Sequence, residues 1–298
     1  MSYIPAFMRR RAKNYLLRTL PEYGYELVSV RDRNPWLVGN QQKDDLIICN
    51  FCGTIFRRSG NDHPEGLNCI HCDTIARERV AFQCILDEVG KRTGTNSLFF
   101  RRATQLKPFT MLECSPRHNQ NRREIYEETL GKYYASDFDM MAHMADIKLD
   151  LTSDEDVQPF MQAFDIILCA HVLEHIPDYR KALINLRTML SPGGFLVLQE
   201  PLLENAYVPV TWDEFHQDNT SVFHRFGFDL INDLKQIFNQ VTPVVGLLDF
   251  HITSPEIKPE KYLALQHMRE QVVVFGESKL RCNGFGNPDL CDAFIAYK

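Results

Sequence analysis

Apolar residues recur along this chain with two different periods, and the change falls near residue 105. Before it the spacing is helical. Met8, Ala12, Tyr15, Leu16 and Leu20 share one face of a helix over 6–20, with arginines on the others. A second helix over 73–90 puts Ala76, Val80, Ala81, Cys84 and Ile85 on one side, and the polar stretch from Thr93 to Ser97 closes it. After residue 105, short apolar runs alternate with helical stripes, the pattern of a parallel sheet with crossover helices. Strands are predicted over 109–113, 132–137, 145–149, 165–170 and 195–199, and the run 165–170 is apolar almost throughout, as a strand covered on both faces should be. Asp178 can cap a helix whose Tyr179, Ala182, Leu183, Leu186, Met189 and Leu190 form a buried stripe. Ser191-Pro192-Gly193-Gly194 stops that helix and turns the chain into the next strand. A further helix is predicted over 228–240, and 271–275 with 293–297 are predicted to pair as an antiparallel edge hairpin. The class is α/β.

Composition narrows the setting. The 298 residues are 44% hydrophobic and 24% charged, ordinary for a globular chain, which sets aside disorder and fibrous repeats. No run approaches the roughly 18 apolar residues of a membrane span, and the N-terminus lacks a secretory leader's apolar stretch, so a soluble, cytoplasmic protein is expected. The net charge of -6 argues against a protein built mainly to hold nucleic acid, without excluding one. Only the first 33 residues are basic, with seven Lys/Arg including Arg9, Arg10 and Arg11. The basic helix over 6–20 suits weak contact with a membrane surface or a partner, although packing on its own protein is the favoured expectation.

Nine cysteines bring in metal chemistry. Cys49-x2-Cys52 and Cys69-x2-Cys72, sixteen residues apart, have zinc-ribbon spacing: each CxxC turn offers two thiolates, and zinc takes four donors at tetrahedral corners. Two disulfides, or His63 or His71 replacing one thiolate, are the alternatives. A site closed by four thiolates leaves no position for water or substrate, so the expected Zn2+ is structural.

The stretch from Phe164 to Asp178 (FDIILCAHVLEHIPD), followed by Leu190-Ser191-Pro192-Gly193-Gly194, resembles the fourth strand, following helix and fifth strand of class I S-adenosylmethionine-dependent methyltransferases, of the type 11-like kind. The likeness covers 105–298 and is strongest over 164–201. It implies a Rossmann-like, seven-stranded, mostly parallel sheet with an antiparallel last strand. The division expected is a basic helical segment over 1–44, a zinc-ribbon module with a linker helix over 45–100, and a methyltransferase domain over 101–298.

The same resemblance assigns a cofactor frame. Glu113 stands where the family carries an acid after its first strand, but no glycine follows. Ser115 and Pro116 occupy the loop instead, and Pro116 lacks a backbone donor. Asp137 matches the carboxylate that accepts from both ribose hydroxyls, with Asp139 the fallback. Asp150 matches the residue that reads the adenine amine, and His171 leaves the fourth strand where open α/β sheets place ligands. Methyl transfer to oxygen or nitrogen also needs a proton acceptor, and histidine is the natural one. His171 is the first choice as a cofactor-side or active-site residue and His224 or His216, in the aromatic insertion over 207–227, is the candidate base, while His175 is expected to cap or pack. The resulting expectation is methylation of a small molecule or glycan, most often at oxygen. An RNA methyltransferase gripping RNA through the zinc module, or a partner protein that keeps the fold without the cofactor, are the rivals.

Overall fold

A computed structural model describes residues 46–57, 68–95, 97, 99–117, 119–141, 143, 145–204, 207–215, 220–227, 229–247 and 290–298. The predicted helix over 6–20, the run 271–275, His63 and His216 lie outside the described residues.

Seven strands form one sheet: β3 (Thr110–Cys114), β4 (Lys132–Asp137), β5 (Ile147–Lys148), β6 (Phe164–Ala170), β7 (Leu190–Gln199), β11 (Gln240–Leu247) and β12 (Leu290–Tyr297). Their spatial order is β11-β12-β7-β6-β3-β4-β5. Strands β5 to β7 through β4, β3 and β6 run parallel, and β12 lies antiparallel to both its neighbours, so the expected Rossmann-like sheet is the one observed.

The period of two along each strand sorts side chains between two helix layers. Leu112, Ile167, Leu196, Leu198 and Phe294 pack with Leu183 and Leu186 of α4 (Tyr179–Met189) and Leu234 of α5 (Leu230–Ile237). Met111, Ile166, Leu168, Phe195, Val197 and Ile295 face the other way, onto α1 (Ala76–Thr93) and α2 (Gln120–Thr129). A one-turn α3 (Asp154–Val157) completes the helices. Asp178 caps α4 as expected, accepting from the Lys181 N–H at 3.0 Å.

Two expectations are corrected. The run 293–297 pairs not with 271–275 but with β11 and β7. β11 contains Pro243 and Gly246, which disguise it as a strand; among the described residues it is the sheet's edge strand, with β12 on one side, and an edge tolerates a proline's missing N–H. The helix stops ahead of Ser191–Gly194 as expected, at Met189, but these residues do not precede the next strand: they already belong to β7. The register between β6 and β7 shifts between Phe164 and Ile166. Gly193 takes φ +77°, and a Cβ on Gly194 would meet the Phe164 and Ser191 carbonyl oxygens at 3.0 Å, so the two glycines allow an irregularity within the pair.

The four-cysteine segment packs on the α1/α2 layer. Beside it, β1 (Leu46–Ile48) pairs antiparallel with β2 (Ile55–Arg57). Phe51, between the first two cysteines, is fully buried with its ring centroid 4.4 Å from Phe82, 5.1 Å from Phe100 and 5.0 Å from Tyr126. This segment, α1 and the sheet thus share one apolar core.

Candidate functional site

The chain leaves β3 toward β4 and then β5 on one side, and β6 begins the other side. The carboxyl ends of β3 and β6 therefore form the switch point of the sheet, the place where open α/β sheets bind ligands. Ser115 and His171 emerge there, one residue beyond Cys114 and Ala170 of the paired strands. Both have left-handed backbone, φ +47° and +57°, which costs a residue with a Cβ about 1–2 kcal/mol. Ser115 thus adopts at its own cost the conformation that a glycine adopts freely, and the loop turns without one. Its hydroxyl helps hold it there by donating to Asp137 Oδ2 at 2.5 Å, while its N–H donates to the Ser136 carbonyl at 2.8 Å.

Asp137 ends β4 and is nearly buried. Burial opposes its charge, but His143 Nδ1 at 2.7 Å, the Ser115 hydroxyl and the Asp139 N–H at 2.8 Å outweigh it and hold the carboxyl below its ordinary range. Asp139 is exposed and accepts from the Met141 N–H. Asp150 follows β5, and its Oδ1 accepts from the N–H and hydroxyl of Thr152, a local turn with the second oxygen left over. Phe138 and Met141, beside Asp137, are exposed apolar side chains.

Glu113 lies elsewhere. It has the parity of Met111, so it points to the α1/α2 layer, where Arg122 Nη2 donates to its Oε1 at 3.0 Å and the Tyr133 hydroxyl to its Oε2 at 2.8 Å. Arg122 Nη1 also donates to Glu78 Oε1 of α1 at 2.6 Å. Burial pushes the Glu113 carboxyl up and Arg122 pulls it back. The carboxylate of Glu113 is therefore part of a buried ion triad, while Ser115, Asp137, Asp150 and His171 stand around the strand tips. A shallow recess beside Glu113 is bordered by Pro116, Arg117 and His143.

Behind His171 sits a group of carboxylates that sequence reasoning missed. Glu174 is 3% exposed, with Oε1 3.9 Å from His171 Nδ1 and 3.5 Å from His175 Nε2. Glu200, at the end of β7, accepts from the Val172 and Leu173 N–H groups at 3.3 and 3.1 Å. Burial, and then the charge of Glu174, push its carboxyl well above the usual range. Glu174 was legible as the acid inside His171-Val172-Leu173-Glu174-His175; nothing local marks Glu200. His175 packs as expected, its Nδ1 2.7 Å from the Ser221 carbonyl oxygen.

His224 has both ring nitrogens engaged. Nε2 lies 2.8 Å from the Ile176 carbonyl and 3.1 Å from that of Pro177, and Nδ1 lies 2.9 Å from the Tyr207 hydroxyl. Nε2 must donate to the carbonyls, so Nδ1 accepts from Tyr207. Burial lowers its pKa against the pull of the two carbonyls, which keeps the ring neutral. The insertion around it forms a small sheet, β8 (Leu202–Glu204), β10 (His224–Gly227) and β9 (Val208–Pro209) in that order, with Trp212 and Phe215 about half exposed.

The four cysteines converge. Their Sγ atoms all lie within 4.8 Å of one another, with Cys49 to Cys72 at 3.7 Å and Cys52 to Cys69 at 3.6 Å. Thiolates bound to one zinc at about 2.3 Å sit about 3.8 Å apart, so these distances suit a shared tetrahedral ion. The two turns repeat one design: Gly53 N–H donates to the Cys49 carbonyl and Asp73 N–H to that of Cys69, with residues 53 and 73 both left-handed. Burial pushes the Cys49 thiol up, while hydrogen bonding, chiefly with Cys49, draws Cys52 down.

The profile of a methyltransferase-domain family matches residues 73–241. Among curated proteins, the reducing polyketide synthase Preu2 of Preussia isomera is 29% identical over 114 residues, 38% of this chain and 4% of that protein. The fusarielin synthase FSL1 of Gibberella zeae is 32% identical over 118 residues, 39% of this chain and 4% of that one. The chain therefore spans a few per cent of the length of these relatives. Among solved structures, a SAM-dependent methyltransferase from Archaeoglobus fulgidus is 16% identical over 74% of this chain and 94% of its own, with a TM-score of 0.43. The 1,6-didemethyltoxoflavin-N1-methyltransferase of Burkholderia thailandensis, solved with S-adenosylhomocysteine, is 11% identical over 73% and 78%, with a TM-score of 0.38.

Proposed function

The chain belongs to the family of S-adenosylmethionine-dependent methyltransferases that share this methyltransferase domain, and on that premise we propose that it methylates an oxygen of a small molecule or glycan, with His171 taking the proton. The observation that carries the reading is the placement of Ser115, Asp137 and His171 together at the switch point of the sheet, two of them in strained backbone. Strain of this kind persists where surrounding structure enforces it, commonly at functional sites.

When bound, S-adenosylmethionine supplies an electrophilic methyl group on its sulfonium. Asp137 is held below its ordinary pKa range, and with Ser115 and His143 on Oδ2 and the Asp139 N–H on Oδ1 it has about one acceptor site left, enough for one ribose hydroxyl. Asp150 keeps one oxygen for an amine donor, and Asp139 stands beside Asp137 as a second acceptor. His171 is three-quarters buried, with the Glu174 carboxylate behind its Nδ1. Negative charge there stabilises a proton arriving on the ring. His224 is proposed as a clasp, not a base, because each nitrogen already has a partner. His216 remains the second proposed base, on an insertion whose Trp212 and Phe215 offer flat apolar surfaces to a sugar or aromatic acceptor. Cys49, Cys52, Cys69 and Cys72 are proposed to hold one structural Zn2+.

Calorimetry with S-adenosylhomocysteine tests the cofactor half. Binding by the wild-type chain, weakened by Asp137→Ala, is expected. No heat at millimolar ligand would favour the non-catalytic partner, and salt-sensitive RNA binding would favour the RNA enzyme.

A further inference from the structure

Both cysteine turns grip the segments that flank β3. On the entry side, the Asn50 and Phe51 carbonyls accept from the Phe100 and Arg101 N–H groups at 2.8 and 2.9 Å. On the exit side the second turn reaches the crevice loop itself. Arg117 Nη1 donates to the Asp73 carbonyl at 3.2 Å and Nη2 to the Asp73 carboxylate at 2.9 Å. Asn121 Nδ2 donates to the His71 carbonyl at 2.7 Å.

From these contacts we infer that Arg117 is a positioning residue for the cofactor, coupling metal occupancy of the cysteine cluster to cofactor affinity. This inference rests on the cofactor and metal readings above. The coupling has a short, stiff path. Asp73 directly follows Cys72, and its left-handed backbone presents carbonyl and carboxylate to one guanidinium. Arg117 is separated from Ser115 only by Pro116, whose ring fixes φ, so the anchored guanidinium constrains where Ser115 lies. Ser115 in turn donates to Asp137, the proposed ribose acceptor. A strained residue stays strained only if its surroundings over-determine it, and this clamp is one of the constraints that do so. With the four sulfurs unligated, the Cys69–Cys72 turn keeps its Asp73 N–H bond to the Cys69 carbonyl but loses its tie through the metal to Cys49 and Cys52, and the loop's anchor loosens.

The test uses the full zinc-loaded chain. Arg117→Ala removes the clamp and leaves all four cysteines, and Arg101→Ala, which removes an ion pair with Glu128, is the control. We expect Arg117→Ala to keep one zinc per chain and an unchanged near-ultraviolet circular dichroism spectrum. Its affinity for S-adenosylhomocysteine should fall about 5–20-fold, within the range of ordinary coupling between sites. Arg101→Ala should bind like wild type. Because linkage is reciprocal, saturating S-adenosylhomocysteine should tighten zinc binding in competition with a chelator by the factor with which zinc tightens cofactor binding, and Arg117→Ala should abolish that effect. Equal cofactor affinity in wild type and Arg117→Ala, or linkage that survives the substitution, would overturn the inference. A wild-type chain that binds S-adenosylhomocysteine but holds no zinc overturns it alone, whereas one that binds no S-adenosylhomocysteine overturns the proposed function as well.

Discussion

Replacing Arg122 with methionine isolates the buried ion triad that fastens three elements together. The guanidinium is 3% exposed, with Glu78 of α1 on one nitrogen and Glu113 of β3 on another, and it packs 5.7 Å from the Phe82 ring centroid. Methionine fills much of the volume; Glu78 keeps Arg117 Nη1 at 3.6 Å, but Glu113 is left buried without a cationic partner. Breaking a buried pair by removing one partner costs about 3–5 kcal/mol. For a chain of this size each kcal/mol moves the midpoint by roughly 2–4 °C, so a fall of about 10 °C is expected at neutral pH. The sign of the pH dependence identifies the cause. Burial already pushes Glu113 up, and without Arg122 it rises further. A group whose folded pKa is raised binds more protons folded than unfolded, so stability declines as pH rises through that folded value. The penalty of Arg122→Met should therefore be smaller at pH 5 than at pH 8, read as urea midpoints at both. A penalty equal at the two pH values would show that lost packing, not stranded charge, is responsible. No penalty at all would refute the triad as a structural bolt.

Other outcomes follow from the same geometry. His224 is held neutral by burial, so the unfolded chain takes up its proton first as pH falls; wild-type stability should drop as pH falls below about 6.5, and His224→Gln should lose that segment of the pH profile in urea titrations. Gly194→Ala places a Cβ 3.0 Å from two carbonyl oxygens and should cost about 1–3 kcal/mol, visible in the thermal midpoint, whereas a neutral effect would mean β6 and β7 are free to part there. Elemental analysis should find one zinc per chain. A chelator should release it together with four titratable thiols and lower the thermal midpoint, because Cys49 and Phe51 are core residues.

The features legible in the sequence were those set by local pattern. FDIILCA reads as a doubly covered strand because nearly every side chain is apolar, Asp178 reads as a cap, and the paired CxxC turns announce their own convergence. Glu113 was expected in the cofactor frame from the resemblance; its alternation with Leu112, which puts it on the face of Met111 toward Arg122 and Tyr133, was a signal left unused. What the sequence left obscure depends on partners far along the chain. Glu200 meets the turn after β6 only because β7 lies beside it. The two carbonyls that occupy His224 come from Ile176-Pro177 and the hydroxyl from Tyr207, two segments distant from it in the chain. The missing glycine is explained by a serine in left-handed backbone whose hydroxyl finds Asp137, a compensation that spacing alone does not reveal.

The central claim is that a crevice floored by a serine and a proline receives the nucleoside of S-adenosylmethionine. A crystal of the zinc-loaded chain soaked with S-adenosylhomocysteine tests it most directly. Density is expected for the ribose against Asp137 and for the sulfur near Ser115 and His171. A crevice without nucleoside density at saturating ligand, or density bound elsewhere on the molecule, would contradict it.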